Sequence, residues 1–80
     1  MRKRASPVLR HARVERELYR SEGFRVLEVD LEGERARLVG ELEAYPEGTW
    51  LRGEFEAFEH PRHGRTYRAR RLEVAPPPPP

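Results

Sequence analysis

A tight basic turn, His60-Pro61-Arg62-His63-Gly64-Arg65, divides two stretches of alternating sequence and dictates most of what this chain can become. Before it, Leu51, Gly53, Phe55 and Ala57 alternate with Arg52, Glu54 and Glu56. After it, Tyr67 and Ala69 alternate with Arg68 and Arg70. A period of two places alternate side chains on opposite faces, so both stretches read as strands with one buried face. Pro61 presets one backbone torsion and Gly64 accepts a positive φ, which punctuates the turn. Five arginines and two histidines fall within residues 60 to 71. A β-hairpin with so cationic a tip can reach into a phosphate backbone.

The rest of the chain continues the β pattern. In residues 8 to 20, Ala12, Val14 and Leu18 share one face and Arg13, Glu15, Glu17 and Tyr19 the other, with Arg16 breaking the apolar side. A helix is the rival there, because Arg, Glu and Leu favour helices. Ser21-Glu22-Gly23 is a turn, and Phe24 to Leu31 is a strand rich in β-formers. Its apolar residues change phase, from Phe24 and Val26 to Leu27, Val29 and Leu31, which predicts a β-bulge or a sharply coiled strand. After a turn at Glu32-Gly33-Glu34, Ala36, Leu38, Gly40 and Leu42 alternate with charged residues and Val39. Residues 43 to 48 form a loop around Pro46, with room for one helical turn. In the fifth strand the phase shifts again, from Tyr67 and Ala69 to Leu72 and Val74.

Five bent strands with interior glycines at 40 and 53 suit a small closed barrel. The reading is all-β: a five-stranded OB-like barrel over residues 8 to 75, with an SH3-like barrel as the next choice. Val14, Val26, Leu38, Phe55 and Tyr67 are expected to meet inside. Residues 1 to 7 are expected to form a disordered basic arm. Residues 76 to 80, five consecutive prolines, form an extended polyproline tail or linker.

Composition narrows the function classes. Eighty residues allow one small domain with a thin core. Without cysteine there are neither disulfides nor thiolate metal sites. His60 and His63 stand three apart with no acidic cluster around them, so no metal and no cofactor is expected. No apolar run is long enough to span a membrane, and no apolar segment follows the basic start as in a secretory leader, so a cytoplasmic protein is the default. Fifteen arginines against one lysine, with no Asn, Gln, Ile or Cys, suit a GC-rich, thermophilic bacterial source.

Net charge is only +2, yet it is segregated: +5 over residues 1 to 20, −7 over residues 21 to 59, and +4 over residues 60 to 80. An anionic partner meets those local fields rather than the average. If the first and last strands lie together, the two basic ends make one patch.

The segments SEGFRVLEV, LVGEL and GTWLRGEFEAFEHPRHGRTYRARRLEV carry a recognisable pattern. Gly23, Phe24, Val26 and Leu27, then Val39 and Gly40, then Gly48, Gly53, Glu54, His60, Pro61, Gly64 and Tyr67 are its positions. Over roughly residues 12 to 76 the chain resembles the N-terminal OB-like domain of the long bacterial RecD-like (exodeoxyribonuclease V alpha-type) DNA helicases. Ala12 and Glu17 depart from that family, which often has Gly and an apolar residue there. The resemblance favours a strand over a helix for residues 8 to 20. It implies a barrel in front of a 5′→3′ helicase motor and a setting in DNA metabolism. The motor's phosphate loop, G-x-x-x-x-G-K-[ST], is absent, and the only lysine is Lys3. The chain therefore reads as an excised domain or a free-standing relative.

Neither serine, Ser6 or Ser21, belongs to a catalytic motif, so no enzyme activity is expected. The expected nucleic-acid contacts are Arg62, His63, Arg65, Arg68 and Arg70, with Trp50 as a stacking platform or, alternatively, a lid on the barrel end. Tyr67 is assigned to the core. The expected partner is single-stranded or duplex DNA, bound weakly and with salt sensitivity. The other reading is a spacer or interaction domain that docks on a helicase motor or another DNA-repair protein. Two features stand against DNA. Glu28, Asp30, Glu32 and Glu34 make the second strand and its turn acidic. The arginines can instead pair with glutamates, Arg52 and Glu54 facing Arg68 and Arg70 across the hairpin, as exposed ion pairs worth about 0–1 kcal/mol.

Overall fold

A computed structural model describes residues 8–61 and 64–80. The basic arm expected at residues 1 to 7, and Arg62 and His63, lie outside the described residues. Five strands follow in order: β1 (Arg10–Ser21), β2 (Phe24–Leu31), β3 (Glu34–Glu41), β4 (Trp50–His60) and β5 (Gly64–Val74). They close a barrel in the order β1-β2-β3-β5-β4. All neighbours are antiparallel except β3 and β5, which meet in parallel at Leu38 and Tyr67. The helical alternative for residues 8 to 20 does not occur. No helix among the described residues is long and apolar enough to cross a membrane.

Two tight turns set the β1-β2-β3 meander. Glu22-Gly23 and Glu32-Gly33 each carry two positive φ angles, 48° and 87° in the first, 53° and 93° in the second. Two consecutive positive φ angles define the type I′ turn, whose twist matches that of the flanking strands. The Gly33 N–H also donates to Asp30 Oδ1 at 2.7 Å, which ties the second turn to its strand.

The core is made of Ala12, Val14, Leu27, Val29, Leu31, Ala36, Leu38, Leu51 and Tyr67, with Leu42, Tyr45, Phe55, Ala69 and Leu72 packed around it. Tyr67 is 6% exposed, so its assignment to the core holds. Val26 does not belong inside: Leu27 takes that place and Val26 points to the outer face. Leu18 likewise leaves the inner face and is among the exposed apolar residues.

The bends needed for closure come from bulges. The β1–β2 register slips between Val14 and Arg16 and again between Glu17 and Tyr19, so Glu15 and Leu18 are the extra residues. The predicted bulge in β2 is absent, since β2 pairs with β3 without a break from Phe24 to Leu31. In β5 the phase shift is a bulge: Arg71 and Leu72 together oppose Gly53, and Arg71 has φ 55°. Gly53 eases the close approach at that point, because a Cβ there would stand 3.1 Å from both the Arg70 carbonyl oxygen and Leu72 Cδ1.

β1 and β5 are not neighbours, since β4 lies between them. The two basic ends therefore do not merge through strand pairing. Beyond β5, the Ala75 N–H donates to the Trp50 carbonyl at 3.0 Å, and residues 76 to 80 carry no strand.

Candidate nucleic-acid interface

The long arms of two hairpins, β1-β2 and β4-β5, flank a cleft of about 870 Å³ on the outer surface of the barrel. The far end of β1 supplies Leu18 and Tyr19, and the start of β2 supplies Phe24 and Val26. The floor is β3, with Arg37, Val39, Gly40 and Glu41. The opposite wall comes from Phe58 and His60 of β4 and Thr66 and Arg68 of β5.

Register explains why these residues converge. Leu27 and Leu38 pair inward, so their neighbours Val26 and Val39, also a pair, face outward together. Tyr19 pairs with Val26 just past the Leu18 bulge, which extends the apolar strip onto β1. On β5, Tyr67 turns inward, so Thr66 and Arg68 turn to the cleft, where Phe58 stands opposite Thr66.

The strip is rich in aromatic surface. Tyr19 is 56% and Phe24 41% exposed. The Arg68 guanidinium lies 4.9 Å from the centroid of the Phe58 ring. Cation–π contacts at exposed sites are worth about 0.5–1 kcal/mol, enough to bias Arg68 toward one position without fixing it.

The acidity of the second strand is largely cancelled by its neighbours. Asp30 stands between Arg13 and Arg35, and Glu28 between Arg16 and Arg37, each row running across β1, β2 and β3. Glu28, whose side chain is 14% exposed, accepts from Arg16 Nε at 3.1 Å. Glu32 accepts from Arg10 Nε at 2.9 Å, a bond that raises the Arg10 pKa above its ordinary value. On this face Glu28 and Asp30 each have an arginine on either side in the strand register.

Of the six residues expected to bind nucleic acid, the four described ones do not share one surface. Arg68 lines the cleft. Arg65 sits on the same hairpin arm, exposed and loosely paired with Glu59 at 3.8 Å. Arg70 follows on the outward face of β5, exposed and away from the cleft walls. Arg62 and His63 lie outside the described residues. Trp50 begins β4 while His60 ends it. At about 3.3 Å per residue the two are roughly 30 Å apart along the strand, so Trp50 does not join the hairpin in one surface. The ion pairs also differ from the simplest expectation: Arg52 pairs with Glu73, and Glu54 with Arg71 at 3.6 Å, which leaves Arg68 to Phe58.

Sequence reasoning missed Tyr19, Phe24, Val26, Val39, Arg37 and Phe58. The signal was present in β2, where Phe24 and Val26 are out of phase with the core residues because they serve the other face. Among the described residues no group of three or more His, Asp or Glu side chains is placed to hold a metal.

A closed five-stranded barrel of this strand order, with an outer cleft between its first and last hairpins, is an OB-fold. No curated protein and no solved structure matches the chain significantly. A family model does, over residues 8–77: that of the OB-fold domain of ATP-dependent DNA helicase YrrC. The chain belongs to this family of helicase OB domains.

Proposed function

We propose that this domain holds single-stranded DNA in the cleft between its two hairpins, as a non-catalytic module associated with a helicase. The carrying observation is the junction of exposed aromatic rings, Tyr19 and Phe24, with Arg37 and Arg68 around one concave surface. Aromatic faces accept unstacked bases, each stack being worth about 1–3 kcal/mol, while arginines neutralise phosphates. Bases within a duplex are already stacked and paired, so the aromatic strip favours a single strand. Arg65, on the same hairpin arm as Arg68, extends the cationic wall. The ion pair of Glu28 with Arg16, and the arginines beside Asp30 in the register, weaken the main electrostatic objection to an anionic ligand. Family membership supports the same reading, since the matched domain is that of a DNA helicase.

Binding is expected to be modest and salt-sensitive. Three phosphate contacts, from Arg37, Arg65 and Arg68, give a slope of log K against log salt of about −2 for a single strand. Fluorescence anisotropy with a labelled oligothymidine at several salt concentrations, on the parent and on Phe24→Ala, tests this. The variant should bind about tenfold more weakly with an unchanged salt slope, because it loses stacking and keeps charge. Equal binding by parent and variant would overturn the cleft as the site. The apolar strip would then be read as a docking surface for a helicase motor.

A further inference from the structure

Glu41 is the one carboxylate among the described residues that line the cleft. It ends β3 directly across from Phe24 in the β2–β3 register. It is exposed and, among the described residues, it makes no ion pair, whereas Glu28 on the same sheet is paired with Arg16. A bare carboxylate in a groove for an anion repels phosphate and weakens binding, unless it accepts hydrogen bonds from the ligand. An ionised carboxylate has two acceptor oxygens and no donor.

The chemistry of the bases then selects. On its Watson–Crick edge guanine presents N1–H and N2–H side by side, two donors matched to the two carboxylate oxygens. Cytosine and adenine each present one amino group beside an acceptor nitrogen that a carboxylate repels. Thymine presents one N–H between two carbonyl oxygens. Single-stranded nucleic acids expose these edges, and proteins read them while the base is stacked on an aromatic ring. Directly paired positions on neighbouring strands place their Cβ atoms about 5 Å apart, so a base stacked on Phe24 has its edge within reach of the Glu41 side chain.

We infer that Glu41, beside the Phe24 platform, gives the cleft a preference for guanine at one position of a bound single strand. The inference rests on the reading of the cleft as a single-strand site. Phosphate contacts and stacking supply affinity for any sequence, and Glu41 adds the discrimination.

The test compares three labelled oligothymidines: unmodified, with one central guanine, and with one central hypoxanthine, which lacks the N2 amino group. The parent should bind the guanine strand about tenfold more tightly than unmodified oligothymidine, in line with a bidentate base contact, with the hypoxanthine strand between them. Glu41→Gln and Glu41→Ala should lose this preference while binding unmodified oligothymidine at least as tightly as the parent. Parent binding to all three strands with equal affinity, or a guanine preference that survives Glu41→Ala, would overturn the role of Glu41 alone. Failure of the parent to bind any of the strands would overturn the cleft reading itself, and the role of Glu41 with it.

Discussion

Arg68 holds its guanidinium 4.9 Å from the centre of the Phe58 ring, across the β4–β5 hairpin. The contact stores a cation at the cleft wall without pairing it to a carboxylate. Arg65, three residues earlier, faces Glu59 instead, with both side chains largely exposed. Among the described hairpin arginines, Arg68 is the one that lines the cleft, and the Phe58 ring biases it toward that position.

Arg68→Ala should lower DNA affinity and flatten the salt slope by about 0.7, the share of one phosphate on a single strand. Arg68→Lys keeps the charge and should keep the slope. Lysine does not present guanidinium's planar face to a ring, so any affinity lost in that variant reports stacking rather than charge. Salt titrations of the three proteins separate the two contributions. An unchanged slope in the alanine variant would remove Arg68 from the contact surface.

Trp50→Phe should leave DNA binding unchanged. Trp50 opens β4, at the end opposite the cleft arm of that strand. Anisotropy titrations of parent and variant should superimpose. Tryptophan fluorescence then serves as a reporter of folding rather than of ligand, and quenching of Trp50 by bound DNA would contradict this geometry.

Gly53→Ala should destabilise the barrel by about 1–3 kcal/mol, as overpacking does in a tight core. The added methyl would press on the Arg70 carbonyl and the Leu72 side chain and backbone at 3.1–3.2 Å, in the β5 bulge. For a domain of this size each kcal/mol lowers Tm by about 4–8 °C. A thermal melt followed by circular dichroism reads the change, and an unaltered Tm would show that the bulge relaxes freely.

Glu22→Asn should stabilise the fold by several tenths of a kcal/mol. Glu22 has φ 48° at the first position of a type I′ turn, where asparagine is favoured over glutamate. Glu22 takes part in none of the chain's ion pairs among the described residues, unlike Glu32 in the equivalent turn, which holds Arg10. Chemical denaturation should show a higher midpoint with the same m-value.

The strands were legible because alternation survives in most of them. Leu38, Leu51 and Tyr67 sit where period two places them, and the change of phase before Leu72 marks a real bulge at Arg71. The same cue misled in β2. Phe24 and Val26 break phase with Leu27 because the strand has two apolar faces over part of its length, one for the core and one for the cleft. The bulges that bend the meander are in β1, at Glu15 and Leu18, where charged residues on both faces hide any shift of phase. Most of the cleft stayed hidden for a related reason. Tyr19, Val39 and Phe58 come from three strands, and only closure of the barrel brings them together. The basic turn could be read because its residues are contiguous. Trp50 shares a strand with that turn, but nearness in sequence does not carry over to nearness in space across a long strand.

The barrel closes along two short seams. β3 meets β5 at Leu38 and Tyr67, and β1 meets β4 only where Arg10–Arg13 lie beside Trp50–Gly53. Everything else is hairpin, held by residues close in sequence. Mechanically the domain is a clasp of two parts, a three-strand leaf and a two-strand leaf, and the cleft straddles the line between them. A ligand that touched both leaves would act as a stitch, its grip and the barrel's closure rising together. Tension that parts the leaves would open the cleft at the same moment, because its two walls belong to different leaves.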